Sequence, residues 1–171
     1  VGIDLGIPNQ KALSEILQGS IAEFTKEKVQ ASLVQHTSGL KLLLASESPR
    51  DVNLASQVQN FETLVARLAT LARFIVLDLG AGLPTFTQRL LPMCDEKVVV
   101  LEGTPSTIQH TKILIDEIAG LKIDRNTILA VLNNRQRTDA QMSTAKVQDK
   151  LEHPIAATLT PAPELFLQAN R

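Results

Sequence analysis

The hydrophobic pattern of this sequence changes period repeatedly along the chain, and this constrains the fold more than any other feature. Short, largely apolar runs lie at 74–77, 97–101, 127–132 and 155–159. Such runs are typical of strands covered on both faces. Further strands are predicted at 1–7 and 40–45, and helical spacing predicts helices at 12–17, 20–35, 58–71, 85–91, 105–120, 140–151 and 161–170. The alternation predicts an α/β fold with a mostly parallel sheet and helices on both faces.

Length and composition exclude several classes of protein. With 171 residues, 44% of them hydrophobic, the chain has the size of one globular domain, and we expect a single domain over 1–171. The net charge of -1 argues against a dedicated nucleic-acid-binding protein. The sequence has no Trp or Tyr and only five Phe, so it has few aromatic side chains with which to build a base-stacking surface. No apolar run reaches the ~18–20 residues of a membrane span.

The single cysteine, Cys94, excludes a disulfide within the chain and suits a reducing compartment. Because Cys94 is followed by Asp95 and Glu96, we expect a raised thiol pKa and no nucleophilic role. The three histidines stand far apart, without the spacing of metal ligands, and are interpreted as surface or turn residues: His36, His110 and His153.

Polar residues follow several of the predicted strands, where open α/β sheets bind their ligands. Asp78 ends a buried run and could hold a hydrated magnesium ion, while Gly80 and Gly82 would let a phosphate approach the backbone. The alternative is that Asp78 organises a turn for which the glycines supply the backbone angles. Asp4 has the same two interpretations, a place near a nucleotide or a turn cap.

Asn133 follows the run that ends at Leu132, and its amide offers the donor and acceptor that an adenine edge requires. A strand-ending turn is the alternative. Thr104 and Ser106 could form a polar rim or cap the helix that begins near Pro105. The sequence contains no Gly-Lys-Ser or Gly-Lys-Thr, and thus no standard phosphate-binding loop, and no Gly-x-Gly-x-x-Gly of a dinucleotide-binding fold.

Four segments together resemble the MinD/ParA superfamily of deviant Walker ATPases. Phe74-Ile75-Val76-Leu77-Asp78-Leu79-Gly80-Ala81-Gly82 resembles its Walker B and switch II segment. Residues 94–106 resemble the strand that follows it, 131–135 its "vlNR" strand end, and 157–164 its "atIPydp" segment. Each segment alone is weakly specific, but the series is in the right order and covers nearly the whole chain.

Within that superfamily the sequence is most similar to the CpaE/TadZ pilus-assembly branch. Residues 36–45 are similar to that branch's "hsSGLrvLaaP", and Asp78-Leu79-Gly80 is its usual Walker B variant. The resemblance implies a cytoplasmic nucleotide-binding ATPase, or one peripheral to the inner face of the membrane, that positions a pilus, secretion or division machine. It implies ATP or ADP with Mg²⁺ as cofactors, and a homodimer and assembly proteins as partners.

The resemblance also assigns roles to individual residues. Asp78 would contact magnesium through water and serve in catalysis with Asp4, the first aspartate of a "DlD" strand. Asn133 would contact adenine, and Gly80, Gly82 and Pro161 would complete the nucleotide site. Gly6 replaces the second aspartate of "DlD", and Asn134 displaces the arginine usual after the asparagine. In the family the second aspartate helps to organise the hydrolytic water, so its replacement by Gly6 places ATP hydrolysis in doubt.

Family members begin with a strand, a P-loop and a helix that this sequence lacks, so we expect a chain truncated at its N-terminus and also at its C-terminus. The missing strand lies in the middle of the family's sheet. We therefore expect that neighbouring strands close up, that another chain supplies a strand in a strand-swapped oligomer, or that the chain is a proteolytic remnant. Competing functions are a non-catalytic localisation scaffold, with or without a fused receiver domain, and a dinucleotide-binding enzyme.

Overall fold

A computed structural model describes residues 5–7, 12–45, 49–134 and 142–161. The described residues form two compact units, one that ends at Leu90 and one that begins at Leu91. None of the helices in these ranges is both long and apolar enough to cross a bilayer.

The unit that ends at Leu90 is mainly helical. Its helices are α1 (Ala12–Gln18), α2 (Lys26–Ala31), α3 (Val58–Leu68) and α4 (Thr85–Leu90), with 3-10 turns at Ile21–Glu23 and Pro49–Ser56. The short strands β1 (Val34–Gln35) and β2 (Lys41–Leu42) pair as an antiparallel hairpin. The core of this unit consists of Ile16, Leu17, Phe24, Val29 and Leu64.

The unit that begins at Leu91 contains a parallel sheet. Its strands are β3 (Lys97–Leu101), β4 (Ile128–Asn133) and β5 (Ile155–Leu159), in the order β3-β4-β5. The crossovers are α5 (Pro105–Gly120) and α6 (Thr144–Leu151), which pack against each other, and 3-10 turns lie at Leu91–Met93 and Arg125–Thr127. This unit confirms the predicted α/β fold class, a parallel sheet flanked by helices.

Alternating burial along the strands shows which sheet face the helices cover. Ile128, Ala130 and Leu132 of β4 are at most 2% exposed, whereas the residues between them are half-buried. The covered positions lie on the face against which α5 and α6 pack, because alternate side chains of a strand share one face. The buried Ile115 of α5 and Val147 of α6 complete this core.

The apolar run at 74–77 is not a strand, and this prediction was wrong. Residues 74–80 form no ladder with any described residue, and Phe74 is 82% and Val76 95% exposed. The run has the composition of a strand, but a strand also requires a neighbour that takes up its backbone hydrogen bonds. The expectation that neighbouring strands close up has no support, since within the described ranges β3 pairs with β4 alone.

The helix predicted at 20–35 is interrupted. Thr25 has an extended backbone, and its hydroxyl oxygen accepts a hydrogen bond from the backbone N–H of Lys28 at 3.2 Å, so a new helix starts there. The strand predicted at 40–45 is reduced to the two residues of β2, because only these pair with β1. Residues 1–4 of the first predicted strand, and 162–170 of the last predicted helix, lie outside the described residues.

Candidate functional site

Asp78, Gly80 and Gly82 lie together in an irregular loop of the unit that ends at Leu90. The Asp78 carboxylate is exposed, and its Oδ1 accepts a hydrogen bond from the backbone N–H of Gly80 at 3.1 Å. Gly80 and Gly82 have φ angles of 71° and 77°, which glycine adopts without strain. This is the turn that the alternative interpretation of Asp78 predicted.

The same loop leaves space around its backbone. A Cβ atom built on Gly80 or Gly82 would find no atom within 4 Å. An exposed carboxylate beside open backbone fits a hydrated magnesium ion, since magnesium takes hard oxygen ligands and keeps several of its waters. The turn and a metal-binding role of Asp78 are therefore compatible.

Asn133 and Pro161 come together at the carboxyl ends of two adjacent parallel strands. Asn133 is the last residue of β4 and is in register with Leu159, the last residue of β5. The backbone N–H of the next residue, Asn134, donates to the Leu159 carbonyl at 2.9 Å. Pro161 lies two residues after Leu159. Both site residues are half-buried, which suits the wall of a ligand site.

The loop after β3 reaches the same edge, because Leu101 is in register with Leu132 of β4. Thr104 does not cap α5 with its side chain, so this interpretation was wrong. Its hydroxyl pairs instead with that of Thr107 at 2.6 Å. Sequence reasoning missed Thr107, although its spacing of three residues from Thr104 on a helix predicts the contact.

Asn134, which the sequence places beside Asn133 at the end of this strand, is a further polar residue at the same edge. Its Oδ1 atom is buried, and no hydrogen-bond donor from the described residues reaches it. A buried oxygen without a donor costs free energy. Its position at the candidate ligand-binding edge therefore indicates that it could accept a hydrogen bond from a ligand. The Asn133-Asn134 pair marks this strand end in the sequence. The sequence does not show which of the two side-chain amide oxygens lacks a donor.

The opposite end of the same strands carries a groove of about 340 Å³. Its charged walls are already paired within the unit, Arg125 with Asp116 at 2.7 Å and Glu152 with Lys112. The groove lies at the amino ends of β4 and β5, whereas open α/β sheets bind ligands at the carboxyl ends. We therefore place the candidate site at the Asn133 edge.

The remaining candidates have structural roles. Burial raises the pKa of the Cys94 thiol, with a smaller contribution in the same direction from Asp95, so the predicted direction is right and its main cause is desolvation. His153 is buried, not on the surface, and its Nε2 donates to the Ile128 carbonyl at 2.7 Å. Across the ranges that the structure describes, no three His, Cys, Asp or Glu side chains are grouped to hold a metal ion.

The predicted site residues thus fall into two groups. Asp78, Gly80 and Gly82 belong to the unit that ends at Leu90, and Asn133 and Pro161 to the unit that begins at Leu91. Asp4 lies outside the described residues, and Gly6 lies in a turn with φ of 63°.

No protein-family model matches the sequence, and no curated protein matches it. Solved structures do. A ParA family ATPase from Chlorobium tepidum superposes with a TM-score of 0.84 at 15% identity, covering 98% of this chain and 70% of that chain. A chain of the MinC:MinD cell division protein complex of Aquifex aeolicus superposes with a TM-score of 0.74 at 19% identity, covering 99% and 67%.

The septum site-determining protein MinD of Pyrococcus horikoshii, solved with Mg-ADP, superposes with a TM-score of 0.73 at 17% identity, covering 98% of this chain and 68% of that chain. At these identities the likeness is one of fold. Nearly the whole chain folds as the ParA and MinD ATPases do.

Proposed function

We propose that this chain is a nucleotide-binding domain of the MinD/ParA type, of the CpaE/TadZ branch, and that it positions a pilus, secretion or division machine in the cell. The observation that carries the proposal is the superposition on a ParA family ATPase over 98% of the chain. The ordered motifs at 74–82, 94–106, 131–135 and 157–164 support it independently, because they depend on residue identity and not on the backbone.

The proposed nucleotide site uses the carboxyl edge of β4 and β5. Asn133 offers a carbonyl oxygen and an amide N–H₂, which can accept from and donate to the adenine edge. Pro161 supplies an apolar surface on the neighbouring strand end. The proposal is supported by the register of these strand ends and by the general position of ligands in parallel sheets.

The proposed magnesium site uses Asp78. The exposed carboxylate would hold the ion through water, and Gly80 and Gly82 would admit phosphate oxygens to the backbone. Magnesium, when bound, neutralises charge on the phosphates. ADP with magnesium accompanies the Pyrococcus horikoshii MinD structure, which supports the same cofactors here.

We expect binding without appreciable hydrolysis by residues 1–171. These residues contain no Gly-Lys-Ser or Gly-Lys-Thr, so the backbone amides and lysine of a standard phosphate loop are not supplied. Gly6 stands where the family has its second catalytic aspartate, which leaves Asp4 as the one aspartate of that motif. The proposed partners are a second copy in the nucleotide-bound state and assembly proteins, in the cytoplasm or at the inner face of the membrane.

Titration of the full-length gene product with ATP and Mg²⁺, monitored by calorimetry, tests the proposal. Asn133→Ala should weaken ATP binding about tenfold, the loss of one to two hydrogen bonds. Asn126→Ala is the matched control, since Asn126 lies at the other end of β4 and bonds to Asp124. Asp78→Asn should remove the effect of Mg²⁺ on affinity, and Asp95→Asn should leave it unchanged. A protein that neither binds ATP nor changes oligomeric state with it contradicts the proposal.

A second candidate is a non-catalytic localisation scaffold, with or without a fused receiver domain. It is favoured by Gly6, which stands where the resemblance places a second aspartate and whose φ of 63° lies in the left-handed region that glycine adopts without strain. The two candidates differ in whether the protein hydrolyses ATP. ATP hydrolysis by the full-length gene product favours the ATPase, and nucleotide-independent binding to an assembly partner favours the scaffold.

A further inference from the structure

The side-chain amide of Asn134 carries a polar atom whose role in the fold is unaccounted for. Its Oδ1 atom is buried at the carboxyl edge of the parallel sheet, and no donor among the described residues reaches it. The backbone at this residue is fixed, because its N–H donates to the Leu159 carbonyl at 2.9 Å. Asn134 as a whole is half-buried, so its side chain lies at the margin of the edge and not deep in the core.

The donors of the neighbouring loops serve other acceptors. The hydroxyls of Thr104 and Thr107 pair with each other at 2.6 Å, and the backbone N–H of Met142 donates to the Gly103 carbonyl at 3.3 Å. A buried oxygen without a donor costs free energy, which a donor from outside the fold would recover. The Asn134 oxygen therefore favours a ligand that presents an N–H or O–H group at this edge.

Asn134 is also a position at which this chain departs from the family it resembles, which has an arginine after the asparagine. The guanidinium group of arginine has five N–H donors and no acceptor, whereas the amide of asparagine includes an acceptor oxygen. The departure changes a side chain that can only donate into one that can accept. A role for this oxygen is therefore particular to this chain, because the family's arginine has no such atom.

We infer that Asn134 selects a purine with an amino group at position 6 over a purine with a carbonyl oxygen there. The inference rests on the proposed function, which places a nucleotide at the edge marked by Asn133, and it adds a specificity to that site. The 6-amino group of adenine is a donor and can satisfy the Asn134 Oδ1. A 6-oxygen is an acceptor, so it would leave two oxygens facing each other without a hydrogen between them.

The size of the discrimination follows from the unpaired oxygen. A ligand with a donor at position 6 removes the cost of that oxygen on binding, and a ligand with an acceptor there does not. A site that contains a buried hydrogen-bonding group rejects a ligand without the matching group more strongly than an apolar pocket rejects a small change of shape. We therefore expect Asn134 to contribute about a tenfold preference for the 6-amino purine.

Calorimetric titration of the full-length gene product with ATP and with inosine triphosphate, each with Mg²⁺, tests the inference. Inosine triphosphate carries an oxygen where ATP carries its 6-amino group. The unsubstituted protein should bind ATP at least about tenfold more tightly than inosine triphosphate. Asn134→Leu keeps the approximate shape of the side chain but removes the acceptor, so it should lower this ratio about tenfold. Asn134→Asp keeps the oxygen and should retain the preference, and Asn126→Ala, at the other end of β4, is the control.

Urea unfolding of the same proteins without nucleotide separates a binding role of Asn134 from a structural one. Asn134→Leu removes a buried polar atom that has no partner, so it should raise the unfolding midpoint. If the oxygen accepted a hydrogen bond that holds the fold together, the same substitution would lower the midpoint.

The inference is overturned if the ratio of the two affinities in Asn134→Leu stays within about threefold of the unsubstituted value. A lower unfolding midpoint of Asn134→Leu overturns it as well. A preference of the unsubstituted protein for inosine triphosphate also does so, because it requires the amide nitrogen, not the oxygen, at this position. In each of these cases ATP still binds and the proposed function stands. If neither nucleotide binds, the proposed function fails and the inference fails with it, so the two failures are distinguishable.

Discussion

Asn60 links two helices of the unit that ends at Leu90 by hydrogen bonds, and their contribution to the free energy of unfolding can be measured. It lies on α3 and is 8% exposed, and its Nδ2 donates to the Leu17 carbonyl at 2.7 Å and to the Gly19 carbonyl at 3.3 Å. These carbonyls lie at the end of α1, where helical carbonyls lack partners within the helix. Asn60 therefore holds the end of α1 against α3.

The Asn60→Leu substitution preserves the approximate shape of the side chain but removes the donor. The Leu17 carbonyl then remains buried without a partner, at a cost of about 1–3 kcal/mol, and the longer bond to Gly19 adds less. The added apolar surface offsets a part of this. We expect a net loss of about 2 kcal/mol in the free energy of unfolding.

Asn60→Asp should be worse than Asn60→Leu, because it places a carboxylate against two carbonyl oxygens in a buried position. Gln59→Leu, an exposed position on the same helix, is the control and should change stability by no more than about 0.5 kcal/mol. The order of stability should be wild type and Gln59→Leu, then Asn60→Leu, then Asn60→Asp.

Urea unfolding followed by far-UV circular dichroism is the suitable assay, because the chain has no Trp or Tyr for fluorescence. With a urea dependence of about 1–3 kcal/mol/M, a loss of 2 kcal/mol lowers the midpoint by about 1 M. If Asn60→Leu unfolds at the wild-type midpoint, or if Asn60→Asp is the more stable of the two, the proposed role of Asn60 is refuted.

Three further predictions concern the core, the loop and the thiol. Leu132→Ala, in the centre of the parallel sheet and 0% exposed, should lower the free energy of unfolding by about 2–5 kcal/mol, whereas Ile113→Ala should change it little; urea unfolding measures both. Gly80→Ala should destabilise the turn at Asp78 by about 1 kcal/mol because of its positive φ, and faster amide exchange at residue 80 would report it. Cys94 should react with iodoacetamide more slowly in the folded chain than in urea at pH 8, since burial raises its pKa and lowers the thiolate fraction; equal rates would contradict this.

The element order could be predicted because hydrophobic period is a local property of the chain. The strands β3, β4 and β5 and the helices α3 and α5 lie close to the ranges that the apolar spacing predicted. The position of Asn133 at a strand end followed from the same reasoning, since a run of apolar residues ends there. Its register with Leu159 did not, because register depends on which strands become neighbours.

The sequence by itself determined where strands and helices can form, and which polar residues follow them. The tertiary structure decided which strands obtain partners. Phe74–Leu77 has the same apolar character as Val98–Leu101, yet of these two runs only the latter is a strand, because among the described residues only it has a neighbouring strand to hydrogen-bond. Hydrogen bonding between strands joins residues far apart in the chain, so no local pattern can specify it.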